Sequence, residues 1–383
     1  MRYEQLSDRV KAALAQADAA VAGVVPFIAN LYDPESGGFY FALSGKNDPD
    51  LAPGLEMTAW GIMITKGQTD AWDDMPTEVR EKFIQFFHDR QDPVTGYYID
   101  KQGPANDRET ARIQNATLKT LRLFPEEPKY PHPINVKKPT SEQTANVPAY
   151  METVESYLEW VNSLPWAKES WAAGDKVQAS QIFVKTLSED KQKQYVNALI
   201  NWFETHQNPE TGLWAEEIDF NSISGAFKNG LTYDIWGLQL PHVDEIIDSI
   251  IRCYQTHQAD KPFYVRNPLS LLRQIADYSE EFQKKVQDTV LDHIELIMEN
   301  FSWNKCPDGG YSASYEKSSP CFGGVVGSHE LFEGDSNATL MILIAREELY
   351  NIFEVTAPPL KADHFWDWIT GKEEMPSPYQ NSL

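Results

Sequence analysis

The chain has 383 residues, 42% of them hydrophobic and 12% aromatic, which is ample material for a core and excludes intrinsic disorder. A formal charge of −24 excludes the basic footprint of a nucleic-acid binder and weighs against polyanionic substrates, so a neutral or cationic small molecule is the expected partner. Cys253, Cys306 and Cys321 show no paired spacing and read as reduced thiols of a cytoplasmic protein. From Met1 the chain runs into a polar helical pattern (Glu4, Asp8, Lys11) without the marks of an export signal. No apolar stretch reads as long enough to span a bilayer, so no membrane partner is expected.

In chain order, the first element is a turn, Asp33-Pro34-Glu35-Ser36-Gly37, followed by Phe39 and Tyr40. Proline presets φ, aspartate bonds the backbone ahead, and glycine takes the left-handed conformation. An apolar segment, Met57 to Ile64, comes next. Phe83, Phe86, Phe87 and Arg90 mark an amphipathic helix leading to a second turn, Asp92-Pro93-Val94-Thr95-Gly96, with Tyr97 and Tyr98 behind it. Arg108, Glu109, Arg112, Asn115 and Thr117 open the helix that follows. Phe124 to Pro148 is proline-rich and reads as a long surface connection.

Pro148 to Leu164 and a segment near Lys176 to Leu187 form a helix pair without the turn motif. Val196, Leu199, Ile200 and Phe203 lead to a third turn, Asn208-Pro209-Glu210-Thr211-Gly212, then to Trp214 and the apolar run Tyr233 to Leu240. His242 to His257 and a segment around Pro268 to Tyr278 make another pair. Val290, Leu291, Ile294, Ile297 and Met298 lead to a looser fourth turn, Cys306-Pro307-Asp308-Gly309-Gly310, then Tyr311 and the apolar run Ala338 to Ala345. A threonine recurs near the start of the inner helices as Thr58, Thr117, Thr232 and Thr339.

Each unit therefore has an outer amphipathic helix and an inner helix that is apolar nearly all round, and such units bury their faces only by stacking on one another. Six hairpins close into a ring, giving an all-α fold, an (α/α)6 toroid, as one domain over residues 1–355. The rival arrangement is an open solenoid. A proline-rich tail, 356–383, is expected to dock in part through Phe365, Trp366 and Trp368.

In a closed ring the starts of the inner helices converge at one mouth, where polar residues are the candidates for chemistry. Glu56 stands in an apolar segment beside Thr58 and Trp60 and reads either as a general acid or base or as a first-turn helix stabiliser. His329, Glu330, Glu333 and Asp335 form the densest titratable cluster, in a glycine-rich loop; Asp335 alternatively caps the next helix. A metal site needs a second histidine nearby, so neither a metal nor another cofactor is expected. Trp214, Glu216, Glu217 and Asp219 follow the third turn as a stacking platform with acids, or as turn packing with solvated acids. Arg112, with Arg108 and Glu109, is either a substrate ligand or part of a helix-surface ion pair. Tyr40, Tyr98, Tyr233 and Asp234 complete the binding candidates, while His206 and His257 read as partners of helix C-termini.

The repeat resembles the (α/α)6 toroid superfamilies: glycoside hydrolases, polysaccharide lyases, sugar 2-epimerases of the N-acylglucosamine epimerase type, and terpenoid cyclases with protein prenyltransferases. Asp33 to Tyr40 looks like the early D…GGFY loop of the epimerases, and the spacing from Gly309-Gly310 to Thr339 looks like the cyclase and prenyltransferase toroids. The DxDD acid motif of the cyclases is missing, since Asp73-Asp74 lies in a connecting segment, and so is the zinc set of the prenyltransferases. The resemblance then implies a carbohydrate-active enzyme. The first expectation is a hydrolase of a neutral oligosaccharide, with Glu56 and one of Glu217 or Asp335 as acid and base. Trp60, Trp214 and Tyr40 would be its sugar platforms. An epimerase would pair His329 with His242 or His132. A lyase would use tyrosine with histidine or arginine, and a non-catalytic toroid would have its funnel plugged by apolar side chains.

Overall fold

Helices begin and end where the local chemistry tells them to. In the computed structural model, which describes residues 3–100, 107–132, 148–322 and 324–377, the first three turns are built alike and the fourth is a variant with its acceptor after the proline. Asp33, Asp92 and Asn208 accept the N–H groups of Glu35, Val94 and Glu210, and Asp308 accepts that of Gly310. Gly37, Gly96, Gly212 and Gly309 take φ of 77°, 73°, 68° and 89°, the left-handed region that side chains resist.

The fold is predominantly α-helical. Towards the outside lie α1 (Asp8–Ala20), α2 (Val24–Leu31), α5 (Thr77–His88), α7 (Val154–Asn162), α9 (Glu189–His206) and α11 (Val243–Thr256). The outer helix before the fourth turn is broken at His293 into α13 (Glu280–Asp292) and α14 (Ile294–Ser302). The inner helices are α4 (Leu55–Gln68), α6 (Asp107–Leu123), α8 (Ser170–Val184), α10 (Phe220–Ile235), α12 (Pro262–Ala276) and α15 (Ser336–Ile352). They pack in the order α6–α4–α15–α12–α10–α8. A short helix α3 (Leu43–Lys46), a hairpin of β1 (Cys321–Phe322) with β2 (Val325–Val326), and α16 (Phe365–Thr370) complete the elements.

The first, third and fourth turns each rest on the outer helix of the next unit, and glycine is what lets them approach. A Cβ on Gly38 would collide with Phe86 of α5, and one on Gly212 with Ile246 of α11. One on Gly310 would collide with Phe27 of α2. The recurrent threonine has a structural use in two units: Thr58 Oγ1 accepts the N–H of Phe39 and Thr339 Oγ1 that of Tyr311, each at 3.0 Å.

Several sequence expectations shift. The run Tyr233 to Leu240 is not the third-turn inner helix; Asp219 caps that helix in a capping box with Ser222, so it spans Phe220–Ile235. At 1.5 Å rise per residue it is about 24 Å long, which puts Thr232, Tyr233 and Asp234 at the end away from Asp219. The pairs expected near Lys176 and Pro268 begin earlier, at Ser170 and Pro262. The stretch Asp8–Leu31 is long and apolar enough to cross a membrane by composition, contrary to the sequence reading, but it is interrupted at Gly23 and its faces line the core. Most of the connection expected from Phe124 to Pro148 lies outside the described residues. The tail docks: Leu360 donates to Gln68 O at 2.8 Å, Trp366 Nε1 to Ala71 O at 2.6 Å, and Pro376 O accepts from Asn30.

Candidate functional site

The start of α4 is held from another unit. Gly54 precedes the helix without a side-chain cap, and the N–H of Leu55 is accepted by Asp100 Oδ1 at 2.8 Å. Asp100 is buried, and that burial pushes its carboxyl up to about 6; Oδ2 has no hydrogen-bond partner. One residue into α4, Glu56 is buried and meets Arg112 of α6, with Nε 2.8 Å from Oε1 and 3.1 Å from Oε2. The Arg112 guanidinium lies 4.3 Å from the centre of the Phe322 ring, and its Nη2 is buried without a partner. Phe322 in turn meets Trp60 in a T-shaped contact at 4.7 Å. Glu56, Met57, Trp60, Asp100, Phe322 and Val325 thus surround one space, too narrow for a water molecule.

Beside it lies the glycine-rich loop, whose members have separate tasks. Asp335 is fully buried and caps α15, accepting the Ala338 N–H at 2.7 Å; burial pushes it up to about 7. Glu333, also buried, accepts the N–H of Ser44 at 2.7 Å, together with the hydroxyls of Ser44 and Ser318. His329 is exposed and its Nε2 sits 2.8 Å from Asp48 Oδ2. Glu330 is exposed and has φ of 55°. Asp335 and Glu333 therefore spend their oxygens on backbone and hydroxyl groups of the seam between the first and last units.

The remaining candidates are dispersed. Glu216 and Glu217 face water, in a cavity of about 220 Å³ beside Lys168 and Asn221. Trp214 is buried against Phe203, its Nε1 bonded to Phe203 O at 2.9 Å, which takes up the ring as turn packing and leaves no sugar platform. Tyr98 is buried and stacked on His132 at 5.8 Å; burial raises its hydroxyl. Tyr233 is buried beside Phe203, and Asp234 is exposed, both at the far end of α10. Tyr40 is half-buried by its turn, where burial, Asp33 and Glu35 raise its hydroxyl. His132, His242 and His329 stand on three different segments: His132 against Tyr98, His242 at the start of α11, His329 on Asp48. His206 bonds Trp202 O within the last turn of α9, and the His257 ring meets Thr256 Oγ1. The side chains of Arg108 and Glu109 lie outside the described residues.

No protein-family model, curated protein or solved structure matches the chain.

Of the expected residues, the fold brings together Glu56, Trp60 and Arg112. It adds two that were missed. Asp100 had no clear signal: in the structure Tyr98 and Asp100 are buried while Tyr97 and Ile99 are exposed, but the sequence puts an apolar residue at an exposed position and the acid at a buried one. Phe322 had none, because it reaches the site only through the path of the last loop. Among the described residues no group of three or more His, Cys, Asp or Glu side chains is placed to hold a metal ion.

Proposed function

We propose that the helix pairs close into an (α/α)6 toroid and that the chain is a carbohydrate-active enzyme, a cytoplasmic glycoside hydrolase acting on an oligosaccharide. Closure is supported by the last unit docking on the first as the first docks on the second. Gly310 lies on Phe27 as Gly38 lies on Phe86, Tyr311 Oη donates to Ala20 O at 2.5 Å, and α15 packs on α4.

The catalytic reading rests on one observation: two carboxyl groups face one aromatic-lined space in opposite environments. Asp100 is driven towards its protonated form by burial, while Glu56 is bound by a guanidinium. Glycoside hydrolysis uses such a division, with the protonated carboxyl donating to the leaving oxygen and the ionised one serving as base or nucleophile. Asp100 takes the first role, Glu56 the second, Arg112 fixes the direction of Glu56, and Trp60 supplies an apolar face for a sugar ring. The test is reducing-sugar release across a panel of oligosaccharides by the wild type, Glu56→Gln and Asp100→Asn. Turnover by the wild type that survives either substitution would remove the assignment.

A second reading has its own observation. Phe322 and Val325 fill the space from outside, as expected of a non-catalytic toroid. In that case oligosaccharides bind without turnover, or do not bind at all.

A further inference from the structure

The filling of the site is uneven in a way that says what belongs there. The Phe322 ring meets both Trp60, in a T-shaped contact, and the Arg112 guanidinium. It can donate and accept no hydrogen bonds, and it stands where Asp100 Oδ2 and Arg112 Nη2 are buried without partners. Such orphaned groups are costly, and each calls for a partner that the protein's own side chains do not supply. A flat ring with one apolar face and hydroxyls at its edge would match both the aromatic contact and the two orphans; a phenyl ring matches only the first.

The hairpin that carries Phe322 is fastened at its base. Gly327 donates to Pro320 O at 3.0 Å, Ser318 and Ser328 hydroxyls meet at 2.9 Å, and Ser328 Oγ donates to Ser319 O at 2.7 Å. Glu333 ties the same base to Ser44. The strands beyond it pair over two residues each, Cys321 with Val326 and Phe322 with Val325, and Gly324 has φ of 80°. Phe322 itself is half-buried, so its ring enters the space from the protein surface.

We propose that Phe322 is a resident plug in a sugar subsite: a pyranose ring takes its place between Trp60 and Arg112, and the sugar hydroxyls supply the partners that Asp100 and Arg112 lack. The sugar identity rests on the carbohydrate reading above; the displacement of Phe322 does not depend on hydrolysis. Because the plug competes with the ligand, removing it makes more of the protein competent to bind.

The experiment compares full-length wild type with Phe322→Ala and Phe322→Leu, the latter keeping an apolar tip should alanine fail to fold. Tryptophan fluorescence follows binding of a panel of 4-nitrophenyl glycosides, and release of nitrophenol follows their hydrolysis. Phe322→Ala is expected to bind at least one glycoside at least fivefold more tightly than wild type, with Phe322→Leu between them. Tighter binding with no hydrolysis in any variant keeps the subsite and ends the hydrolase reading. Unchanged binding by a folded variant overturns the plug. So does weaker binding, which would make Phe322 part of the platform.

Discussion

At the start of α4, Glu56 is buried, bonded to Arg112 of the next inner helix and roofed by Phe322. At the start of α10, Glu216 and Glu217 stand in water beside Lys168, and Asp219 spends its carboxylate on the helix cap. Both places hold an acid near an inner-helix start, with an ion pair between adjacent inner helices. The second pair is Asp175 with Lys228 at 2.8 Å. What differs is the connection over them. The loops from the first and fourth turns cross each other at Ala42 and Asp335 and fold over α4, whereas Leu213 to Asp219 passes directly into α10. Position in the repeat supplies the ingredients; the covering loop decides whether a carboxyl is desolvated enough to change its chemistry.

The sharpest way to break this comparison is to neutralise one acid in each place. If the covered site is catalytic, Asp100→Asn and Glu56→Gln each lower hydrolysis by roughly 10²–10⁴-fold, the usual worth of a general acid or base. Glu217→Gln changes it less than about twofold. Equal losses at the two places would dissolve the distinction. Arg112→Ala leaves Glu56 buried without its guanidinium, which destabilises the fold by about 2 kcal/mol, less than a fully buried pair because Arg112 is partly exposed. Urea unfolding measures it, and a variant as stable as wild type would show that the pair is not structural.

Two buried acids of the covered region give a pH signature. Asp335 and Asp100 are raised to about 7 and about 6 by burial, so the native state keeps their protons where the unfolded chain, titrating near 3.8, has released them. Stability contributed below about pH 4 is therefore lost as pH rises through the folded values. Asp335→Asn keeps an oxygen for the Ala338 N–H but cannot titrate. Its stability should fall less than that of wild type between pH 4 and 8, by no more than roughly 4 kcal/mol. A parallel pH profile would mean that Asp335 ionises in place without cost.

The repeat was legible because turn chemistry is local: proline, a side-chain acceptor and a left-handed glycine lie within five residues, and each turn forms as its residues dictate. Helix limits were less so. Tyr233 to Leu240 has the composition of a buried helix, but Trp236 ends α10 and Gly237, with φ of 68°, turns the chain away. Glu56 could be singled out as a lone acid in an apolar run, and Arg112 as a cation on the neighbouring unit. That they bond each other depends on the packing of α4 on α6, which no spacing encodes. Asp100 joins them only in the fold, where its Oδ1 meets the Leu55 N–H, 45 residues away in the chain, and its carboxyl lines the same space as Glu56.

The smallest expected effect tests the repeat itself. Thr58 and Thr232 both looked like the same recurring residue, yet Thr58 Oγ1 accepts the N–H of Phe39 from the turn, whereas Thr232 Oγ1 donates to Lys228 O within its own helix at 3.3 Å. Valine is nearly the same shape but accepts nothing. Thr58→Val strands a buried N–H at the post-turn strand and should cost about 1–2 kcal/mol. Thr232→Val removes only a second bond to a carbonyl already engaged in the helix and should cost less than about 0.5 kcal/mol. Thermal unfolding of the two variants reads the difference, and equal costs would mean that the threonine does not hold the turn to the inner helix.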